Sequence, residues 1–278
     1  MQIPYKFIIR LFSVLFLFLY PLRINALIPY YYLPDQKDLK NTIDEINKGA
    51  IYFLEINKID EAIKRAYLSY SLDKTFSLSS LILSEALILK KDFQSAKKII
   101  NIALRHNKNE PKIYYLAAKI YFLEDDLKKS KNLIDEALKL NEESIDILFL
   151  LGNINLKKNL YAEAIEVYEK ILKINNGFWP AHNNIGLANF ELGKIELSKT
   201  NFINALKNTN NAESMLGLAI VLFTQNPDNE ESFNIAKKAI VSSPKFINSE
   251  FRKSELWGVE IQKITSQFFK KNRELNDY

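Results

Sequence analysis

Few residues in this chain could do covalent chemistry. There are two histidines, His106 and His182, and no cysteine. Without cysteine there are no disulfides, thiolate metal sites or cysteine nucleophiles, and no thiol for a bacterial lipoprotein anchor. The two histidines lie far apart, with no carboxylate or second imidazole at metal-ligand spacing. No glycine-rich phosphate loop, nucleophile elbow or zinc-helix motif occurs. Carboxylate pairs do occur, at Glu142-Glu143 and Glu230-Glu231. Both sit in loops and read as charges at helix starts, where the helix dipole favours acids. His182, in Trp179-Pro180-Ala181-His182-Asn183-Asn184-Ile185-Gly186, reads as a hydrogen-bonded packing residue. The expectation is no catalytic centre, no cofactor and no metal.

The elements that would position any site are set by a repeat. Residues 145–178 and 179–212 are two copies of one 34-residue unit. Gly152 matches Gly186, Ala164 matches Ser198, Tyr168 matches Phe202 and Leu172 matches Leu206. Each copy reads as two helices, with a turn at Lys157-Lys158-Asn159 or Glu191-Leu192-Gly193. The frame extends without a gap to copies at 43–76, 77–110, 111–144 and 213–246. The eighth place holds Ala50, Ser84, Ala118, Gly152, Gly186 and Ile220. The twentieth holds Ala62, Ala96, Ser130, Ala164, Ser198 and Ser232, and the twenty-seventh Ser69, Ala103, Ala137, Ile171, Ala205 and Ala239. Only Ile171 and Ile220 among them are large. Small residues at fixed offsets are what two helices need where their axes approach most closely. Pro244 closes the last copy, since it cannot continue a helix. That copy departs most, with Gly217 where a large residue is expected and a long Asn226-Pro227-Asp228-Asn229 turn. Its first helix is expected to be shifted by one residue.

These residues resemble the tetratricopeptide repeat family. The matching positions are Leu151-Gly152, Tyr161, Ala164, Tyr168 and Leu172 in one copy. In the next they are Ile185-Gly186, Gly193, Phe202, Ala205 and Leu206. The resemblance implies an all-α fold: a right-handed α-solenoid of about six helix hairpins, with an N-terminal leader and a C-terminal capping helix.

The ends of the chain differ from the repeats. In residues 1–26, Lys6 and Arg10 precede the apolar run 11–20, and Ile24-Asn25-Ala26 follows. This describes a secretory signal peptide, and the run is short for a membrane span. Two outcomes stay open, cleavage after Ala26 and a retained membrane anchor. The expected place is therefore across or in the bacterial inner membrane, periplasmic or membrane-associated, with the thylakoid lumen as a further destination. Residues 27–42 form a connector and leading helix. Ile28-Pro29-Tyr30-Tyr31-Tyr32-Leu33-Pro34 either covers the first repeat's open end or forms an aromatic collar at a membrane surface. Asp35 reads as the cap of the leading helix. Residues 247–278 do not repeat. Phe251, Leu256, Trp257, Ile261, Ile264 and Phe268 recur at helical spacing, as a single capping helix would require. Residues 273–278 are expected to fray.

Composition leaves little room for nucleic acid. The net charge is +5, and Lys6, Arg10 and Arg23 of the leader supply three of the bases with no acid beside them. Elsewhere lysines and acids interleave along the helices, the pattern of a solvated face rather than of a basic patch.

A protein partner is what the resemblance implies. In the tetratricopeptide family the first helix of each unit lines a concave groove. Carried over by place in the repeat, the third copy offers Lys112, Tyr115, Lys119 and Phe122. The fourth offers Asp146, Phe149, Asn153, Leu156 and Lys157, and the fifth Asn183, Leu187, Phe190 and Glu191. The second is more apolar, with Leu78, Leu81, Glu85, Ile88 and Leu89. The mixture suits a peptide of acidic or C-terminal carboxylate character, with Lys119, Asn153, Lys157 and Asn183 as donors. The bland alternative is a solvated polar groove. The chain is also similar to exported or membrane-associated tetratricopeptide proteins of cyanobacteria. The cues are the leader, the Pro-Tyr segment, Phe178-Trp179-Pro180-Ala181, Asn183-Asn184-Ile185-Gly186-Leu187 and Leu256-Trp257-Gly258. Two functions follow as expectations. One is a non-catalytic interaction scaffold or assembly factor. The other is an enzyme, or a carbohydrate- or envelope-handling protein, built on a helical solenoid; a deep closed pocket with paired carboxylates would favour it.

Overall fold

The computed structural model describes residues 36–207 and 209–278. The leader, the Pro-Tyr segment and Asp35 lie outside these residues. By its contacts the chain divides into Met1–Thr42 and Ile43–Tyr278. Of the first unit, only the start of α1 is described.

The described residues are helical throughout, with no strand. Copy one is α1 (Gln36–Glu55) and α2 (Ile59–Leu72), and copy two is α3 (Ser77–Leu89) and α4 (Phe93–His106). Then come α5 (Pro111–Leu123) with α6 (Leu127–Leu140), and α7 (Ile145–Lys157) with α8 (Tyr161–Ile174). The last pairs are α9 (Trp179–Glu191) with α10 (Ile195–Leu206), and α11 (Ala212–Gln225) with α12 (Glu230–Ser242). A 3-10 turn (Pro244–Ile247), α13 (Ser249–Ser254), α14 (Val259–Lys271) and a second 3-10 turn (Arg273–Asp277) complete the chain.

The hairpin turn is the same in five copies. Asn57, Lys91, Asp125, Asn159 and Gly193 occupy its fifteenth place, and all have positive φ, between 57° and 70°. Glycine takes that conformation freely, and Asn and Asp tolerate it. In copy six the place is Pro227, whose ring forbids it. There α11 runs on to Gln225 and Asn229 caps α12 through Ser232 N instead.

The register of copy six confirms the expected shift. Ser130 Oγ donates to Ala118 O and Ser198 Oγ to Gly186 O, joining the twentieth place to the eighth. Ser232 Oγ donates to Ala219 O, one residue before Ile220. A second bond agrees. Asn47 Nδ2 donates to Ser79 Oγ between copies one and two, and Ser214 Oγ donates to Asn183 Oδ1 between copies five and six. Gly217 is explained by the same shift, since a Cβ there would overlap the Phe202 ring.

The core is a series of local clusters along the stack rather than one centre, as solenoids require. First helices of neighbouring copies touch, α3 with α5, α5 with α7 and α9 with α11. No pair of second helices does so to the same degree. The first helices therefore line the inner face.

The C-terminal region departs from the single capping helix. Leu256 adopts a φ of 67° and breaks the pattern between α13 and α14. Beyond the break, α14 packs on the first helices α9 and α11, so it lies on the inner face. It also covers last-copy residues such as Phe223, whose ring stands edge-on to Phe268 at 5.2 Å. The tail does not fray in this structure, because Leu275 is fully buried in that cluster.

Candidate partner-binding groove

On α5, Pro111 takes the first helical position and Glu110 accepts from Lys112 N. Ile113, Leu116, Ala117 and Ile120 turn into the core. That leaves Lys112, Tyr115, Lys119 and Phe122 along one face, spaced three or four residues apart. Tyr115 is partly buried, and burial pushes its phenol up. Lys119 Nζ stands 6.0 Å from the Tyr115 ring centre, and Lys112 Nζ 3.9 Å from Glu85 Oε2. On α7 the corresponding face carries Phe149, Asn153 and Lys157.

Two of the four expected donors, Lys157 and Asn183, donate internally, while Asn153 is bonded through its oxygen. Lys157 Nζ pairs with Asp125 Oδ1 at 2.8 Å and stands 4.9 Å from the Phe122 ring centre. Asn153 Oδ1 accepts from Tyr168 OH at 2.6 Å and from Asn184 Nδ2 at 3.0 Å. Asn183 is 1% exposed and spans Asn184 and Ser214. Lys119 Nζ and the Asn153 amide nitrogen are the donors left on this face. Of the other groove candidates, Leu81, Ile88, Leu156, Leu187 and Phe190 are buried, while Leu78, Leu89 and Asp146 are exposed. His182 Nε2 lies 3.1 Å from Asn176 O, a packing histidine with a polar contact.

The chain's own C-terminal segment crosses this face. Glu191, at the end of α9, accepts from Glu260 N at 3.1 Å and Ile261 N at 2.9 Å, so it caps α14 from a distant part of the chain. Tyr161 OH also donates to Glu191, and its phenol is raised to about 12 by burial and by that carboxylate. Gly258 is required where the segment passes Glu191, because a Cβ would strike the carboxyl. Arg252 anchors the segment's start. It is 2% exposed, and its guanidinium donates to Phe246 O, Ile247 O and Gln262 Oε1. Burial lowers its pKa to about 10. Leu256 packs against the α7–α9 cluster, and Trp257 Nε1 donates to Glu213 Oε1 at 3.1 Å.

Two cavities flank Leu256. One, of about 570 Å³, has Leu127, Leu156 and Val259 among its walls, with Lys157 and Lys253 at its edges. The other, of about 390 Å³, lies over α7, α9 and the start of α11, with Phe122, Phe149, Trp179, Glu213 and Glu255 in its walls. Burial, reinforced by the charge of Glu255, pushes the Glu213 carboxyl up to about 7. Glu255 is also raised, chiefly by burial. Sequence reasoning missed Glu213, Glu255 and the capping role of Glu191. Glu213 reads as a helix-start acid, and Glu255 falls inside an apparently continuous helix.

Among the described residues, no group of His, Asp and Glu could hold a metal ion, and no helix is long and apolar enough to cross a membrane. A family model described as anaphase-promoting complex, cyclosome, subunit 3 matches residues 90–171. No curated protein matches in sequence. The structure is similar to a chain of the APC/C hetero-tetramer Cut9-Hcn1, with TM-score 0.67 and 18% identity over 73% of this chain. The match spans 40% of that chain. It is also similar to pilF of Pseudomonas aeruginosa, with TM-score 0.64, 15% identity, 78% of this chain and 98% of that one. MamA of Desulfovibrio magneticus gives 0.52 with 18% identity, over 60% of this chain and 94% of that one. At these identities the likeness is one of fold, and in fold the chain is an α-solenoid of the tetratricopeptide type.

Proposed function

We propose that this chain is a non-catalytic scaffold or assembly factor whose inner face, over copies three to five, holds a segment of a protein partner. The observation that carries the reading is the open face itself. Phe122 and Phe149 border one cavity that remains beside the chain's own crossing segment. Aromatic anchors supply most of the energy of such interfaces, and polar groups set register. Lys119 gives α5 a cation on this face, while Lys112 is in reach of Glu85, and Lys119 suits an acidic residue of the partner there. We place the protein at or beyond the bacterial inner membrane, delivered or anchored by residues 1–26.

The paired carboxylates Glu213 and Glu255 favour the second reading, because acid–base hydrolysis uses two carboxyl groups across one pocket. Against it, Glu213 already accepts from Trp257 and Asn183. Loss of a glycosidase activity in Glu213→Gln would establish that reading. The scaffold reading is tested by recovering partners from membrane and periplasmic fractions with the wild-type chain and with a Lys119→Glu, Phe122→Ala variant. Loss of a partner at unchanged Tm supports the groove. Full retention rejects it.

A further inference from the structure

We infer that the cavity between the Leu256 turn and helices α7, α9 and α11 receives a basic side chain, lysine or arginine, from the partner segment. This rests on the groove reading above and names the chemistry that one end of the groove selects. The cavity measures about 390 Å³, enough for the long side chain of either residue. Phe122, Phe149 and Trp179 contribute aromatic walls, which attract cations through the ring quadrupole. Glu213 from α11 and Glu255 from the crossing segment contribute two carboxyls. No lysine, arginine or histidine is among the described residues of its lining.

The charges around Glu213 agree. Glu255 opposes its ionisation from the crossing segment, Trp257 and Asn183 donate to it, and Tyr168 lies behind it. The nearby bases are occupied or set back. Lys157 pairs with Asp125 and is not part of the cavity lining, nor is Lys245, which acts on Glu255. Two acids turned toward one cavity without a base form a site that an incoming cation relieves. Binding then releases the proton that Glu213 holds below pH about 7, so affinity rises with pH.

The chain's two tryptophans, Trp179 and Trp257, both report on this place. The experiment titrates the full chain with Nα-acetyl-lysine N-methylamide and follows both indole N–H resonances. The uncharged norleucine analogue is the control. The lysine probe is expected to shift both signals saturably and to bind about tenfold more tightly at pH 8 than at pH 6. Glu213→Gln keeps an oxygen for the Trp257 N–H. It should weaken the probe by about tenfold and abolish the pH dependence. Glu255→Gln should weaken it several-fold, and decides the matter if Glu213→Gln does not fold. Equal shifts from both probes, no shift from either, or undiminished binding in the folded variants would overturn the inference. The groove reading would still stand or fall by partner recovery.

Discussion

Three glycines hold the repeat together by what they lack. A Cβ on Gly152 would overlap the Tyr168 ring, and one on Gly186 or Gly217 would press on Phe202. Tyr168 and Phe202 are both fully buried, so neither ring can move aside cheaply. Gly186→Leu is expected to cost about 1–3 kcal/mol and to lower Tm by roughly 2–10 °C. A thermal melt of the variant checks this. Tyr168 also carries the repeat's core into the groove, because its hydroxyl fixes Asn153 and Asn184. At Glu213 the expected effect is on pH dependence. Its folded pKa of about 7 lies above the ordinary 4.5, so the folded chain keeps a proton that the unfolded chain loses. Stability should therefore fall as pH rises from about 4.5 to about 7, by at most about 3 kcal/mol, and level off above. Denaturant titrations across that range should show most of the decline gone in Glu213→Gln.

The hairpins were legible as elements because their signals are local. Small residues recur at three places, and Asp92, Asp126 and Asn229 cap the helices that follow them. The crossing segment was not legible, for two physical reasons. Phe251, Leu256, Trp257 and Ile261 keep helical spacing across a break made by one residue, Leu256, of a type that seldom takes positive φ. The contact that places α14, Glu191 to the amides of Glu260 and Ile261, joins residues about seventy apart. No local pattern encodes that bond. Glu191→Ala removes the cap and is expected to destabilise α14 by about 1–2 kcal/mol. Hydrogen exchange should then quicken at the Thr265 and Phe268 amides and stay unchanged in α3. Equal protection in the variant would mean that α14 is held by its apolar face alone.

For the whole molecule, the fold class followed from the repeat, while the character of the groove did not. Place in the repeat put Lys119, Asn153, Lys157 and Asn183 on first helices, and the structure keeps them there. It cannot say which of them are already spent. Asp125 takes Lys157 and Asn184 accepts from the Asn183 amide, while Asn153 is bonded through its oxygen alone. The role proposed for this stack of hairpins and its crossing segment is to hold a partner's chain. The central claim is that the partner lies on this inner face, and site-specific photo-cross-linking tests it most directly. A photoreactive residue replaces Asp146, exposed at the start of α7, in one variant and Leu197, 53% exposed on the second helix α10, in another. The account predicts a discrete cross-linked partner from position 146 and none from position 197. A product from position 197 alone, or equal products from both, would contradict it.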